Sequence, residues 1–300
     1  MREHTPETIT DAVLEQMGAT PDPRLKEIMA SAVRHLHAFA REVNLTPAEW
    51  IAGIEFLTRV GHMCSPARQE FILLSDTLGL STLVNALHDR TALEEATHTS
   101  LLGPFFRESA PEFGAGAQIS RKGGPEVVLF GRVADSRGHP VPDATITVWQ
   151  TASDGRYDMQ VGPEEIDCRG VFRTDGEGRY VLRTVRPLGY PIPLDGPVGE
   201  MVLAQKRHGM RPAHIHFLIG APDYRELVTA LYLKGDAHLD DDVVFGASAD
   251  LVAEEKADDP ECPIPGLPSI RFDFTLAREA QAGRAGRVGA DPAAIATAAE

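Results

Sequence analysis

Across residues 1–100 the apolar positions recur at helical spacing. Behind Asp22, the residues Leu25, Ile28, Met29, Ala32, Leu36, Phe39 and Val43 form one stripe, and Trp50, Ile51, Ile54, Leu57 and Val60 form another. The starts are marked as well. Asp22-Pro23 and Ser65-Pro66 place a capping side chain before a first-turn proline, and Thr46-Pro47-Ala48-Glu49 reads as a capping box. Four or five short helices are predicted. So small a set cannot bury these stripes internally, so some of them should face another domain or subunit.

From about Glu126 the period changes to two. Strands are predicted at Val127–Val133, Thr145–Trp149, Gly170–Thr174, Tyr180–Val185, Ala213–Ile219, Val228–Lys234 and Ile270–Leu276, with turn signals such as Asp175-Gly176-Glu177-Gly178 between them. Many short strands without alternating helices predict a mostly antiparallel sandwich, hence an α+β chain. A Gly- and Pro-rich segment from Leu101 to Gly124 joins the two regions, and an Ala- and Gly-rich stretch from Gln281 predicts a flexible tail over 281–300.

Composition narrows the function. A formal net charge of −15 argues against nucleic acid, which needs a basic face. Cys64, Cys168 and Cys262 are widely spaced and odd in number, which indicates neither a disulfide framework nor a zinc knuckle. The polar N-terminus does not resemble a secretory signal, and no apolar run is long enough to span a membrane. A cytoplasmic protein is expected.

The most informative stretch runs from Arg211 to Phe217, RPAHIHF. On a strand, residues two apart share a face, so His214 and His216 point together while Ala213, Ile215 and Phe217 take the other side. Two imidazoles on one face can ligate one metal. His35 and His37 lie on a predicted helix, roughly 200° apart, and read as surface residues. Two tyrosines, Tyr157 and Tyr190, sit in turn-rich loops from which a ring can project into a cleft. Tyr180, Tyr224 and Tyr232 read as ordinary strand or loop-edge aromatics.

Taken together, the runs WQTASDGRY ending at Tyr157, PLGYPIPLDGP around Tyr190 and RPAHIHF resemble the intradiol catechol dioxygenase family, most of all its hydroxyquinol-cleaving members. The likeness extends to RQEFILLSDTLG, beginning at Arg68, and GDAHLDDDVVFG, beginning at Gly235. The resemblance implies a helical dimerisation region over 1–100 and a β-sandwich catalytic domain over 101–280. It implies one mononuclear Fe(III), held by Tyr157, Tyr190, His214 and His216, that uses O₂ to open an aromatic ring between two vicinal hydroxylated carbons. Two hard phenolate oxygens suit a ferric ion, which in turn lowers the phenol pKa. By the same likeness Tyr190 helps accept a substrate proton, and Arg211 stabilises charge developing on the ring. Leu73, Asp76, Leu101, Gly103, Pro104, Phe105, Ile192, Pro193 and Val244 should wall the pocket. A carboxylate at Asp76 favours benzene-1,2,4-triol, whose third hydroxyl can donate to it, over catechol or a chlorocatechol. A homodimer is implied too, with an amphipathic ligand such as a lipid between the helices. In one place the chain departs from the pattern: Ala230 stands where Gln or His is expected after Thr229.

Two other readings compete. The stretch GRVADSRGHPVPDATITV also resembles transthyretin-like binding modules, which have no need of the four donors together. A zinc hydrolase could use the histidine pair, but zinc rarely takes two tyrosinates, and no carboxylate is suitably placed in a motif.

Overall fold

The computed structural model describes residues 4–65, 68–89, 95–162 and 164–279. The Pro66 signal and the tail expected from Gln281 lie outside these residues. The chain divides into two compact units, one ending at His62 and the other beginning at Met63.

The first unit holds α1 (Ile9–Gln16), α2 (Pro23–Glu42) and most of α3 (Pro47–Met63). Asp22 Oδ1 caps α2 by accepting the N–H groups of Arg24 and Leu25 at 2.8 and 3.2 Å. Thr46 and Glu49 exchange the reciprocal bonds of a capping box, at 2.9 and 3.3 Å. Both caps follow the sequence signals, but α2 and α3 are 20 and 17 residues long rather than short. Arg41 Nε donates to the Pro6 carbonyl, and His37 Nδ1 meets Thr10 Oγ1, so polar contacts tie α1 and the turn before it to α2. Neither α1 nor α2 has a buried residue.

In the second unit, α4 (Glu70–Thr77) and α5 (Leu80–Asp89) precede the strands. The strands are β1 (Glu126–Asp135), β2 (Thr145–Gln150), β3 (Arg169–Arg173), β4 (Arg179–Val185), β5 (Tyr190–Pro191), β6 (Met210–Arg211), β7 (His214–Gly220), β8 (Leu227–Leu233), β9 (Val252–Ala253), β10 (Glu255–Lys256), β11 (Ser269–Arg271) and β12 (Phe274–Leu276). Two helices interrupt them, α6 (Asp158–Val161) and α7 (Pro197–Ala204). One sheet runs β10–β11–β1–β12 with β4 also on β1; the other runs β3–β2–β7–β8–β9; β5 and β6 form a separate ribbon. Most pairs are antiparallel. Among the described residues three strand pairs are parallel: β1 with β11, β1 with β12, and β8 with β9.

The stretch predicted as one strand from Ile270 is two. A Cβ at Gly131 would lie 1.9 Å from the Phe272 carbonyl oxygen, so only glycine lets that carbonyl approach β1. Asp273 then takes the Arg132 N–H at 2.9 Å, which breaks the ladder between β11 and β12. The core is built from Val127, Leu129, Ile146, Val148, Leu182, Ile215, Phe217, Ile219, Leu231 and Phe274. Strand alternation therefore sends His214 and His216 on β7, Trp149 on β2, and Ala230 and Tyr232 on β8 to the outer face of the second sheet. The segment after Leu101 is no loose joint. Phe113, Gly116 and Ile119 donate their N–H groups to Val171, Val181 and Arg183, so it runs along both sheets.

Candidate metal centre and pocket

Four donor side chains converge on that outer face. His214 Nε2 lies 3.1 Å from His216 Nε2 and 3.4 Å from Tyr157 Oη. Arg211 Nη1 is 3.1 Å from His214 Nε2 and 3.4 Å from Tyr190 Oη. All five side chains are buried. The Tyr157 loop is shaped by Gly155, at φ +78°, and by Asp154, which accepts the Arg156 N–H; Tyr157 itself caps α6. Phe105 stacks on the Tyr157 ring at 4.4 Å. Tyr190 sits opposite Arg211 in the β5–β6 ribbon, and a Cβ at Gly189 would meet the Arg211 carbonyl oxygen at 2.7 Å. Glycine is what lets that ribbon close.

The tautomer of His214 follows from its surroundings. Nδ1 lies 2.7 Å from the Pro212 carbonyl, which can only accept, so Nδ1 carries the proton and Nε2 offers its lone pair to the site. Burial, with Arg211 and His216 adding to it, pushes the His214 pKa well below its usual value; burial and Arg211 do the same to His216. Both imidazoles are therefore neutral at physiological pH. Burial raises the Tyr157 phenol well above its ordinary range, so the group stays a phenol until a cation stabilises its anion. Arg211 remains a cation: burial opposes its charge, but Asp242 and the neighbouring phenols outweigh it. Trp149 stacks on His216 at 4.9 Å and 4°, which fixes that ring. His216 Nδ1 is buried with no well-formed hydrogen bond; the Leu101 backbone lies near the ring, and Ala230, directly across from it on β8, offers only a methyl group.

The residues expected to wall the pocket fall into groups. Leu101, Gly103 and Asp76 line one cavity of about 340 Å³ with Ile72, Ser81 and Asn85. Gly103, at φ +72°, brings its backbone against His216; a Cβ there would sit 3.5 Å from Cε1 and Nε2. Phe105 lies against both tyrosines. The Val244 N–H donates to Asp242 Oδ1, and the Ile192 N–H to the Gly209 carbonyl. Leu73, Leu101, Ile192 and Val244 are buried, whereas Pro104 and Pro193 are partly exposed. Asp76 is buried at the C-terminal end of α4. Burial raises its pKa, while the Ser81 hydroxyl and the Arg211 charge pull the other way.

Three participants escaped the sequence reading. Tyr232, taken as an ordinary strand aromatic, reaches Arg211 Nη2 with its hydroxyl at 3.3 Å. Asp242 grips the same guanidinium at 3.2 Å, and Trp149 supports His216. The signal for Tyr232 was its even spacing from Ala230 along β8. Elsewhere among the described residues, His208, His238 and Asp241 cluster near the surface. There, His208 Nδ1 accepts the Met210 N–H at 3.0 Å, so its proton lies on Nε2, directed at Asp241. That arrangement leaves no lone pair on Nε2 for a metal.

Comparison with known proteins follows the same residues. A family model described as "Dioxygenase" matches residues 102–278, and one described as "Catechol dioxygenase N terminus" matches 22–96. The 6-chlorohydroxyquinol 1,2-dioxygenase of Cupriavidus pinatubonensis is 47% identical over 281 residues, which cover 92% of this chain and 99% of that one. The hydroxyquinol 1,2-dioxygenase of Nocardioides simplex is 43% identical, with 90% and 94% covered. The structure of a hydroxyquinol 1,2-dioxygenase from Pseudomonas putida superposes with a TM-score of 0.84 at 43% identity, covering 91% of this chain and 99% of that one.

Proposed function

Because this chain belongs to the intradiol dioxygenase family that these two models describe, we propose that it cleaves benzene-1,2,4-triol between two vicinal hydroxylated carbons. Both atoms of O₂ enter the product, 3-hydroxy-cis,cis-muconate or its tautomer maleylacetate. The observation that carries this reading is the convergence of the buried side chains of Tyr157, Tyr190, His214 and His216, with Asp76 buried nearby.

The donor set fits one ferric ion: two neutral imidazoles, one with its lone pair turned inward, and two phenols that become hard anionic ligands on ionising. Such an ion, when bound, supplies the acidity that ionises the diol and opens its ring to O₂. The chain's own groups do the rest. Tyr190, ionised to its phenolate when it holds the ion, would take a proton from the incoming diol on Oη, which faces Arg211. The Arg211 cation stabilises negative charge that develops on the ring oxygens. Asp76 accepts the hydrogen of the third hydroxyl, which neither catechol nor a chlorocatechol provides. Buried walls at Leu73, Leu101, Phe105, Ile192 and Val244 exclude water from the reacting ring. Gly103, Pro104 and Pro193 complete the rim.

Metal analysis and visible spectroscopy test the centre. Iron-replete protein should carry a tyrosinate-to-ferric charge-transfer colour that shifts when a diol is added anaerobically. Tyr157→Phe, His214→Ala and His216→Ala should each lose both iron and colour. Turnover should rank benzene-1,2,4-triol above catechol and 4-chlorocatechol. Zinc in place of iron, or colourless iron-replete protein, would overturn the assignment.

A further inference from the structure

The Arg211 guanidinium has five N–H groups and no acceptor. Nε donates to Asp242 Oδ1 at 3.2 Å, and Nη2 donates to Asp242 Oδ2 at 3.4 Å and to Tyr232 Oη at 3.3 Å. Those contacts use the rear of the group. Nη1 is left facing Tyr190 Oη and His214.

Since a guanidinium can only donate, the Tyr232 oxygen accepts and its own proton must go elsewhere. Ser100 Oγ, 3.0 Å away, can take it, and the Ser100 proton then goes to the Gly246 carbonyl at 3.2 Å. Every hydrogen in the chain has one direction. The far end is equally constrained. Gly246 donates its N–H to Asp242 Oδ2 at 3.0 Å, and a Cβ on Gly246 would sit 2.7 Å from the Tyr232 oxygen.

We propose that Tyr232 is a positioning residue for ring cleavage: its phenol, anchored through Ser100, sets the direction in which Arg211 presents Nη1 to the diol beside Tyr190. The inference rests on the intradiol reading above and adds to it a residue that need not touch substrate. The two bonds to Asp242 are long, 3.2 and 3.4 Å, and hold the guanidinium only loosely in its plane. The Tyr232 oxygen adds a third acceptor on the same rear edge and tightens that hold. Ser100 immediately precedes Leu101, so the same chain ties the pocket wall to the arginine.

Tyr232→Phe tests this, because it removes one oxygen and keeps the buried ring. Iron content and the resting visible band should match the wild type. For benzene-1,2,4-triol, kcat should fall about tenfold while KM changes by less than about twofold. A crystal structure of the variant should show Nη1 turned away from Tyr190, a readout independent of turnover. In an Arg211→Ala background the same substitution should cost nothing more. Ser100→Ala should give the same kcat-selective loss, and it takes over the test if Tyr232→Phe does not fold. Unchanged kcat with Arg211 unmoved, or an equal loss in the Arg211→Ala background, would overturn the positioning role while leaving the intradiol reading intact. Wild-type protein without iron or diol cleavage would instead bring down that reading, and the role with it.

Discussion

Arg169 Nε lies 2.6 Å from Asp158 Oδ2, both side chains are buried, and Asp158 directly follows Tyr157. Arg169 Nη2 also donates to the Phe105 carbonyl at 3.1 Å, and Phe105 is the ring stacked on Tyr157. One guanidinium thus holds the backbone on both sides of a proposed iron ligand.

Removing one partner of this pair strands a buried charge. Arg169→Met should destabilise the protein by about 3–5 kcal/mol, read from urea unfolding. Iron content per folded chain should fall with it, because the Tyr157 loop loses its anchor. The double variant Asp158→Asn/Arg169→Met should cost less than the two single losses together. Strict additivity would mean the pair contributes no coupling.

A different carboxylate should govern substrate choice. If Asp76 accepts the third hydroxyl, Asp76→Ala should lower kcat/KM for benzene-1,2,4-triol by about ten- to a hundredfold. Catechol turnover should hold or improve. Burial raises the Asp76 pKa, so the triol profile should lose activity as pH falls through a value above the ordinary carboxylate range. Catechol should lack that step, and Asp76→Asn should abolish it for the triol. Equal losses on both substrates would mean that Asp76 supports the fold and does not read the ring.

Much of this architecture was legible because period-two alternation is a local signal. It put His214 and His216 on one face, and the same rule applied to β8 would have added Tyr232, whose even spacing from Ala230 was there to be read. The Asp158–Arg169 pair was not legible: its partners lie 11 residues apart on a short helix and a strand, joined only by tertiary packing. The break between β11 and β12 was hidden for the same reason, since it depends on Phe272 meeting Gly131 across the sheet. Membership of α4 and α5 in the second unit likewise rests on distant contacts. The Val198 N–H donates to Glu70, and Asn85 and Thr82 donate to the Ser100 and Val244 carbonyls.

Acid should expose a further buried carboxylate. Burial raises the pKa of Asp135, but the His139 N–H, Arg278, the His139 ring and the Arg137 N–H outweigh it, and the net shift is downward. A depressed folded pKa contributes stability that is present above the unfolded value of about 4 and is lost as pH falls through the folded value. Thermal unfolding should therefore show Asp135→Asn less stable than the wild type at neutral pH, with the gap closing below about pH 4. A gap that stays constant with pH would exclude the linkage.

The final prediction concerns the first unit. Neither α1 nor α2 buries a residue, and in α3 only Val60 is buried, while Leu36, Phe39, Trp50, Ile54 and Leu57 are all exposed. Helices with no core of their own are marginal in water, because packing of an apolar face supplies most helical stability. Something must cover these stripes. A second copy presents the same stripes, and a two-fold contact covers both sets at once. The protein should therefore run as a homodimer in light scattering at micromolar concentration. Ile54→Asp, which sets a charge within the α3 stripe, should weaken that dimer by about two orders of magnitude. It should leave the iron colour per folded chain intact, since the four proposed iron ligands all lie in the other unit. A native-sequence monomer at that concentration would refute the interface, and loss of colour in step with dissociation would mean the two units are coupled.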